Sequence, residues 1–68
     1  MEIIEKRKIA TKARAFRATH RLKQSDLAKL VGVSQRSISS LENEDWSKLS
    51  DGFIDRVHKI LLKSYKGA

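Results

Sequence analysis

The sequence of 68 residues has no cysteine, no proline and only four aromatic side chains. Without cysteine, neither a disulfide framework nor a thiolate metal site can form. No apolar run approaches the roughly 20 residues that a membrane helix needs. Residues 1–8 contain two glutamates and lack the apolar stretch of a secretory signal. We therefore expect a cytoplasmic protein that does not span a membrane.

The short length limits the kinds of function that the chain can perform. A domain of this size buries only roughly 60% of the surface of its unfolded chain, which leaves little material for an enzymatic cleft. No combination of nucleophile, base and pocket can be assembled from these residues. His20 and His58 lie on or near apolar faces, where packing is expected rather than zinc binding. We predict no catalysis, no cofactor and no small-molecule ligand.

The positive charge is unevenly distributed along the chain. Residues 1–36 hold ten basic and three acidic side chains, a net charge of +7, whereas residues 37–68 hold five of each. Such asymmetry is expected where one face of a protein meets a polyanion, most often nucleic acid. The alternative is that the basic surface only increases solubility.

The residue pattern predicts helices throughout. Alternation typical of strands is absent, and helix-forming residues dominate. We predict helices over about 3–19, 24–31, 35–44 and from 51 to 63 or 65, with fraying at 66–68. Residues 45–50 are predicted to be a loop whose Trp46 covers the core. The expected core residues are Ile9, Ala13, Phe16, Leu27, Ala28, Val31, Ile38, Leu41, Phe53, Ile54, Val57, Ile60 and Leu61.

Residues 24–43 meet the physical requirements of a helix-turn-helix. Ala28 is small enough to let two helices cross in contact, and Gly32 can adopt the left-handed conformation that ends the first helix. Ser34 suits the N-cap of the second helix. That second helix has a narrow apolar stripe and is otherwise slim and polar, so it fits a major groove roughly 12 Å wide.

The segment from Leu22 to Asn43 resembles the helix-turn-helix of lambda repressor and Cro-like regulators, the group that includes the Xre-type transcription factors. Gln24 and Gln35 are the first residues of the two helices. Ala, Gly, Ile and Leu follow them at the spacing of that family. The resemblance implies one compact all-α, lambda-repressor-like domain over residues 1–68. The family generally adds a fifth helix, which often builds the dimer, whereas this sequence ends soon after helix 4. Four or five helices are therefore expected.

The resemblance implies base-reading roles for residues of the second helix. Gln35 is similar to the glutamine that pairs with adenine, and a glutamine amide can bond both N6 and N7 of that base. Arg36 occupies the neighbouring position, where a guanidinium grips guanine or a phosphate. Ser39 and Ser40 lie on the next exposed turn, with Ser40 better placed to read a base. The alternatives are that Gln35 is merely solvated and that the serines matter only by being small.

Phosphate contacts are also implied by the resemblance. Gln24 looks like the glutamine that touches a phosphate and braces the first recognition residue. Arg17 and Glu42 occupy positions that pair in many relatives, which would make a partly buried ion pair between helices 1 and 3. The residues expected at phosphates are Gln24, Arg17, Ser37, Asn43 and Lys48.

Three local features depart from the family pattern. Lys23 stands where Ser, Thr or Asn usually caps helix 2, so the usual side-chain cap is missing. Glu44 stands where relatives often have glycine. The loop after helix 3 is also about two residues longer, which puts the positions of Trp46 and Lys48 in doubt.

The combined reading predicts a transcriptional regulator of the phage or prophage Cro type. It would bind double-stranded DNA at an operator, expected to be palindromic, and repress by occupying that site. A homodimer is expected, either in solution or only on DNA, with the Tyr65 end of helix 4 as one candidate contact. The alternative is a protein-interaction module, an antirepressor or antitoxin-like partner built on the same fold.

Overall fold

The computed structural model of the protein describes the backbone of residues 1–66 and the side chains of residues 1–63. Helices are the only regular secondary structure in that range, which confirms the predicted all-α class. The described part excludes the side chain of Tyr65. It also excludes residues 67 and 68, which belong to the tail that is predicted to fray. In chain order the elements are α1 (Ile3–His20), α2 (Gln24–Val31), α3 (Gln35–Glu42), a single 3₁₀ turn (Trp46–Lys48) and α4 (Asp51–Lys66).

One apolar core lies between the four α-helices, and each helix contributes a stripe to it. The stripes follow the 3.6-residue period, as predicted. Phe53 and Ile60 are only half-buried and pack against the edge of the core, whereas Ala10, which the pattern did not single out, is fully buried. The buried apolar residues are Ile9, Ala10, Ala13, Phe16, Leu27, Ala28, Val31, Ile38, Leu41, Ile54, Val57 and Leu61.

The turn between α2 and α3 has the predicted geometry. Gly32 takes φ +82° and ψ +37°, the left-handed conformation, and its amide donates to Ala28 O at 2.8 Å. Arg56 of α4 adds a contact that the sequence did not reveal, because its Nη2 donates to Val31 O at 3.3 Å. Ser34 caps α3 as predicted, accepting from the amide of Ser37 at 3.2 Å. Both ends of this turn are therefore fixed by hydrogen bonds.

The corner between α1 and α2 is held by backbone geometry and by an acidic side chain. Arg21 adopts φ +55°, and its amide and that of Leu22 donate to the last carbonyls of α1. Lys23 has no side-chain oxygen with which to cap α2, as predicted. Instead the carboxylate of Asp26 accepts from the backbone amide of Lys23 at 3.0 Å. Half of a capping box thus begins α2.

The end of α3 differs from the prediction. The helix stops at Glu42, two residues early, because Glu44 adopts φ +59° and donates its amide to Leu41 O at 3.1 Å. This is the position where the family often has glycine, the residue best suited to positive φ. The predicted loop over 45–50 also contains the 3₁₀ turn, which forms where Trp46 packs against the core. Ser50 then caps α4, accepting from the amide of Phe53 at 3.1 Å.

Replacing Gly32 should destabilise the domain, and the chain offers a matched control. Gly32→Ala should lower the free energy of unfolding by about 1–2 kcal/mol, since a Cβ disfavours left-handed backbone. The new Cβ would also lie 3.3 Å from Nη2 of Arg56. Gly52 lies in the first turn of α4, and a Cβ there would meet only Ser50 Oγ at 3.9 Å. Gly52→Ala should therefore be neutral or stabilising by up to about 1 kcal/mol. Urea denaturation of both variants measures the difference, and equal effects would contradict this account.

Candidate nucleic-acid interface

The outer face of α3 begins with two exposed, unpaired side chains. Ile38 and Leu41 fix the helix to the core, and they leave Gln35 and Arg36 in solvent. Within residues 1–63, neither side chain has a hydrogen-bond or ion-pair partner. An amide and a guanidinium of this kind are free to bond an external ligand with two atoms each.

The remaining polar residues of α3 form a narrow surface. Ser39 and Ser40 are half-buried, and Ser39 Oγ accepts from Nδ2 of the exposed Asn43 at 3.4 Å. The half-buried Ser37 has its hydroxyl 2.9 Å from that of Ser34. Beyond Arg36 no bulky side chain projects from this surface. Past Arg36, α3 is therefore little wider than its own backbone, and a helix this slim can enter the major groove of DNA.

A buried carboxylate at the end of α3 holds the helix to its neighbours. The side chain of Glu42 is 3% exposed and receives two hydrogen bonds from Arg17, one from Nε and one from Nη2, each at 2.7 Å. This bidentate geometry is the strongest form of a charge-assisted pair. The hydrogen bond to Glu42 raises the pKa of Arg17 above its ordinary value, against the opposing effect of burial. The expected ion pair between helices 1 and 3 is thus present.

The same carboxylate also binds α2. Gln24 Nε2 donates to Glu42 Oε1 at 3.3 Å, and we call Arg17, Gln24 and Glu42 the Glu42 cluster. Arg14 adds a hydrogen bond to the backbone carbonyl of Glu42. No hydrogen bond joins Gln24 to Gln35 among residues 1–63, and the expected bracing of Gln35 by Gln24 stays a prediction. A carboxylate attracts an amide donor more strongly than a neutral side chain does, and Glu42 therefore takes the amide.

Arg17 and Lys48, which were expected at phosphates, differ in how firmly the protein holds them. All three guanidinium nitrogens of Arg17 donate internally, since Nη1 bonds Leu22 O at 3.1 Å in addition to the pair with Glu42. Arg17 therefore belongs to the framework of the site. Lys48 is exposed, with Nζ 3.7 Å from Oδ2 of Asp45. A contact this long between exposed groups is weak and can be exchanged for a phosphate.

The start of α2 also presents donors. The backbone amides of Gln24 and Ser25 have no acceptor in the part of the chain that the structure describes, as is normal for the first turn of a helix. Gln24 has a second Nε2 hydrogen besides the one directed at Glu42. The exposed Arg21 and Lys23 flank these groups. This combination of amides and cations suits a phosphate.

The unpaired cations are concentrated in residues 21–36, from the corner before α2 to the start of α3. Of the 14 Lys and Arg side chains in residues 1–63, eight contact an acidic group, a carbonyl or His58. Four of the other six fall within residues 21–36, which sequence reasoning did not single out because pairing depends on the fold. Those six are Lys8, Arg21, Lys23, Lys29, Arg36 and Lys63.

The histidines make local contacts. The ring of His20 lies against Phe16 with centroids 4.4 Å apart, and His58 Nε2 is 3.3 Å from Lys12 Nζ. No group of His, Asp and Glu among the described side chains could hold a metal ion. A search of the same residues for a helix long and apolar enough to cross a membrane finds none.

Comparison with known proteins identifies a helix-turn-helix domain. The family model described as "Helix-turn-helix" matches residues 14–57, which is 44 of the 68 residues. The matched region contains the Glu42 cluster, both helices of the turn and the start of α4. Neither a curated protein nor a solved structure matches the chain significantly.

Removing the buried carboxylate should cost far more stability than removing an exposed one. Glu42→Leu leaves the Arg17 charge without its partner and should lower the free energy of unfolding by about 3 kcal/mol or more. Asp55→Asn removes an exposed pair with Lys59 and should cost about 0.5 kcal/mol. Adding Arg17→Met to Glu42→Leu should restore part of the loss. Denaturant titration tests all three, and equal costs for the two single variants would rule out the bracing role of Glu42.

Proposed function

Because the chain belongs to the Cro/C1-type helix-turn-helix family of DNA-binding regulators, we propose that α3 reads specific base pairs in the major groove. The proposal depends on the exposure of Gln35 and Arg36 and on their lack of internal partners. Both are exposed and have no partner within residues 1–63, at the start of a helix whose other end is fixed by a buried ion pair. A side chain without an internal partner loses no protein contact when it bonds a base.

Base recognition follows from the chemistry of these two residues. The Gln35 amide accepts from N6 of adenine and donates to N7, and Arg36 donates to O6 and N7 of guanine. Ser39 and Ser40 lie one turn further along the helix, where a hydroxyl bonds a base edge or simply leaves room for it. Each good bidentate contact discriminates against a wrong base by about 1–3 kcal/mol.

Phosphate contacts position the helix in the groove. We assign them to the start of α2, with Gln24 and the neighbouring cations, and to Ser37, Asn43 and Lys48 on and after α3. Arg17 is left out of this set because its nitrogens are engaged with Glu42 and Leu22. Such contacts supply affinity and register, and they carry no sequence information.

The short recognition helix favours binding as a pair of copies. α3 has eight residues and offers few base-reading side chains, so one copy reads a short half-site. Two copies related by a two-fold axis would read a palindrome with half-sites one helical turn apart. Repression then follows from occupancy of the operator, as in a phage or prophage regulator of the Cro type. The dimer forms in solution or on the DNA.

Selection of bound sequences from random duplex DNA tests the proposal directly. A palindromic consensus is the expected product. Gln35→Ala should relax the preference at one base pair of each half-site and weaken binding to the consensus by about 1–3 kcal/mol. Lys63→Ala, which removes an exposed α4 lysine, is the control and should change neither. An unchanged consensus and affinity in Gln35→Ala would overturn the assignment of the reading helix.

Cations at the start of α2 should control the salt dependence of binding. Arg21→Ala and Lys23→Ala should weaken binding to every sequence similarly. Each should also reduce the slope of log affinity against log salt concentration by about 0.9, the value for one lost phosphate contact. Lys63→Ala should leave the slope unchanged. Fluorescence anisotropy over a salt series measures the slopes. Equal slopes for all three variants would show that phosphate contacts do not concentrate on residues 21–36.

A further inference from the structure

The outer face of α1 contains a shallow groove outside the residues that are proposed to contact DNA. Residues spaced three and four apart line it, so they share one face of the helix. The side chain of Ile4 is 60% exposed at its apolar end. No acidic residue contributes to the lining, which consists of Ile4, Arg7, Lys8, Thr11 and Lys12.

The groove combines positive charge with exposed apolar surface. Lys8 has no partner among residues 1–63, and Lys12 contacts only the His58 ring. Arg7 is paired with Glu44 at 3.2 Å. The neighbouring Ile3 is also 52% exposed. Ile4 and the two lysines therefore offer an apolar and an ionic contact side by side on one face of α1.

We propose that this groove binds an acidic amphipathic helix of a partner protein. Apolar side chains of that helix would pack against Ile4, and its carboxylates would lie beside Lys8 and Lys12. This mode of binding uses residues at i, i+3, i+4 and i+7 of the bound helix. Complementary charge sets the orientation of the helix and raises the rate of encounter.

Other occupants fit this surface less well. DNA phosphates would neutralise the lysines but would leave Ile4 without an apolar contact. A second copy of the chain on the same face would oppose Lys8 with an identical set of cations, which is repulsive. A membrane surface needs a broad apolar face, whereas Ile4 is the one apolar residue of this lining.

The inference goes beyond the proposed function. The lining residues 4–12 precede the family match at 14–57, and none of them belongs to the base-reading or phosphate set. Loss of partner binding and loss of DNA binding can therefore be separated by substitution.

A titration followed by ¹⁵N NMR tests the groove. The probe is a synthetic helical peptide in which leucines recur at i, i+3, i+4 and i+7 and glutamates flank them. Saturable shifts are expected for the amides of Ile4, Lys8, Thr11 and Lys12, and a scrambled peptide of the same composition should produce none. Ile4→Ser and Lys8→Glu should each weaken peptide binding roughly tenfold, through lost apolar contact and reversed charge.

Two variants outside the groove provide matched controls. Leu62→Ser removes an apolar side chain that is 42% exposed, and Lys63→Glu reverses an exposed lysine. Both should bind the peptide normally, and Ile4→Ser should bind DNA normally. The proposal is overturned if the peptide gives no saturable shifts at the groove, or if Ile4→Ser weakens DNA binding. It is also overturned if duplex DNA, anionic vesicles or self-association shift the groove amides as strongly as the peptide.

Discussion

The buried carboxylate of Glu42 is the constraint on which the geometry of the site depends. Removing a carboxylate from water is costly, so the charge must be compensated by partners in a fixed arrangement. Two bonds from Arg17 and one from Gln24 provide that compensation, and the donors come from α1 and α2. Because the acceptor itself belongs to α3, all three helices must keep one mutual orientation. The recognition helix is therefore held at its C-terminal end while its N-terminal end stays exposed.

Internal contacts engage most of the cations of α1, so that the unpaired positive charge is localised on one part of the surface. α1 carries much of the net +7, but most of its cations contact a carboxylate, a carbonyl or His58. Within residues 1–63, the cations that remain unpaired lie mainly between residues 21 and 36. A concentrated positive region attracts a polyanion over about a Debye length, which is roughly 8 Å at physiological salt. The positive charge is thus concentrated near the residues to which the proposed phosphate and base contacts are assigned.

Local signals could be predicted from the sequence, and contacts between distant residues could not. The bounds of α2, the left-handed Gly32 and the Ser34 cap each depend on a few adjacent residues, and each is confirmed. Arg21 and Glu44 are also left-handed, but neither residue type signals it. For Glu44 the only indication was that relatives often have glycine there, and its conformation shortens α3. The Arg17–Glu42 pair was expected only from family resemblance, while the bond from Arg56 to Val31 O gave no local signal.

Gln24 belongs both to the Glu42 cluster and to the proposed DNA contacts, and this double assignment determines which substitutions are informative. One Nε2 hydrogen is directed at Glu42, and the other is available to a phosphate. Loss of this side chain would weaken the cluster that orients α3 and would also remove a proposed DNA contact, so its effect cannot be assigned to either cause. Gln35 has the same side chain and no partner within residues 1–63. Its removal leaves the folded framework intact, and any change in DNA binding then reports on recognition alone.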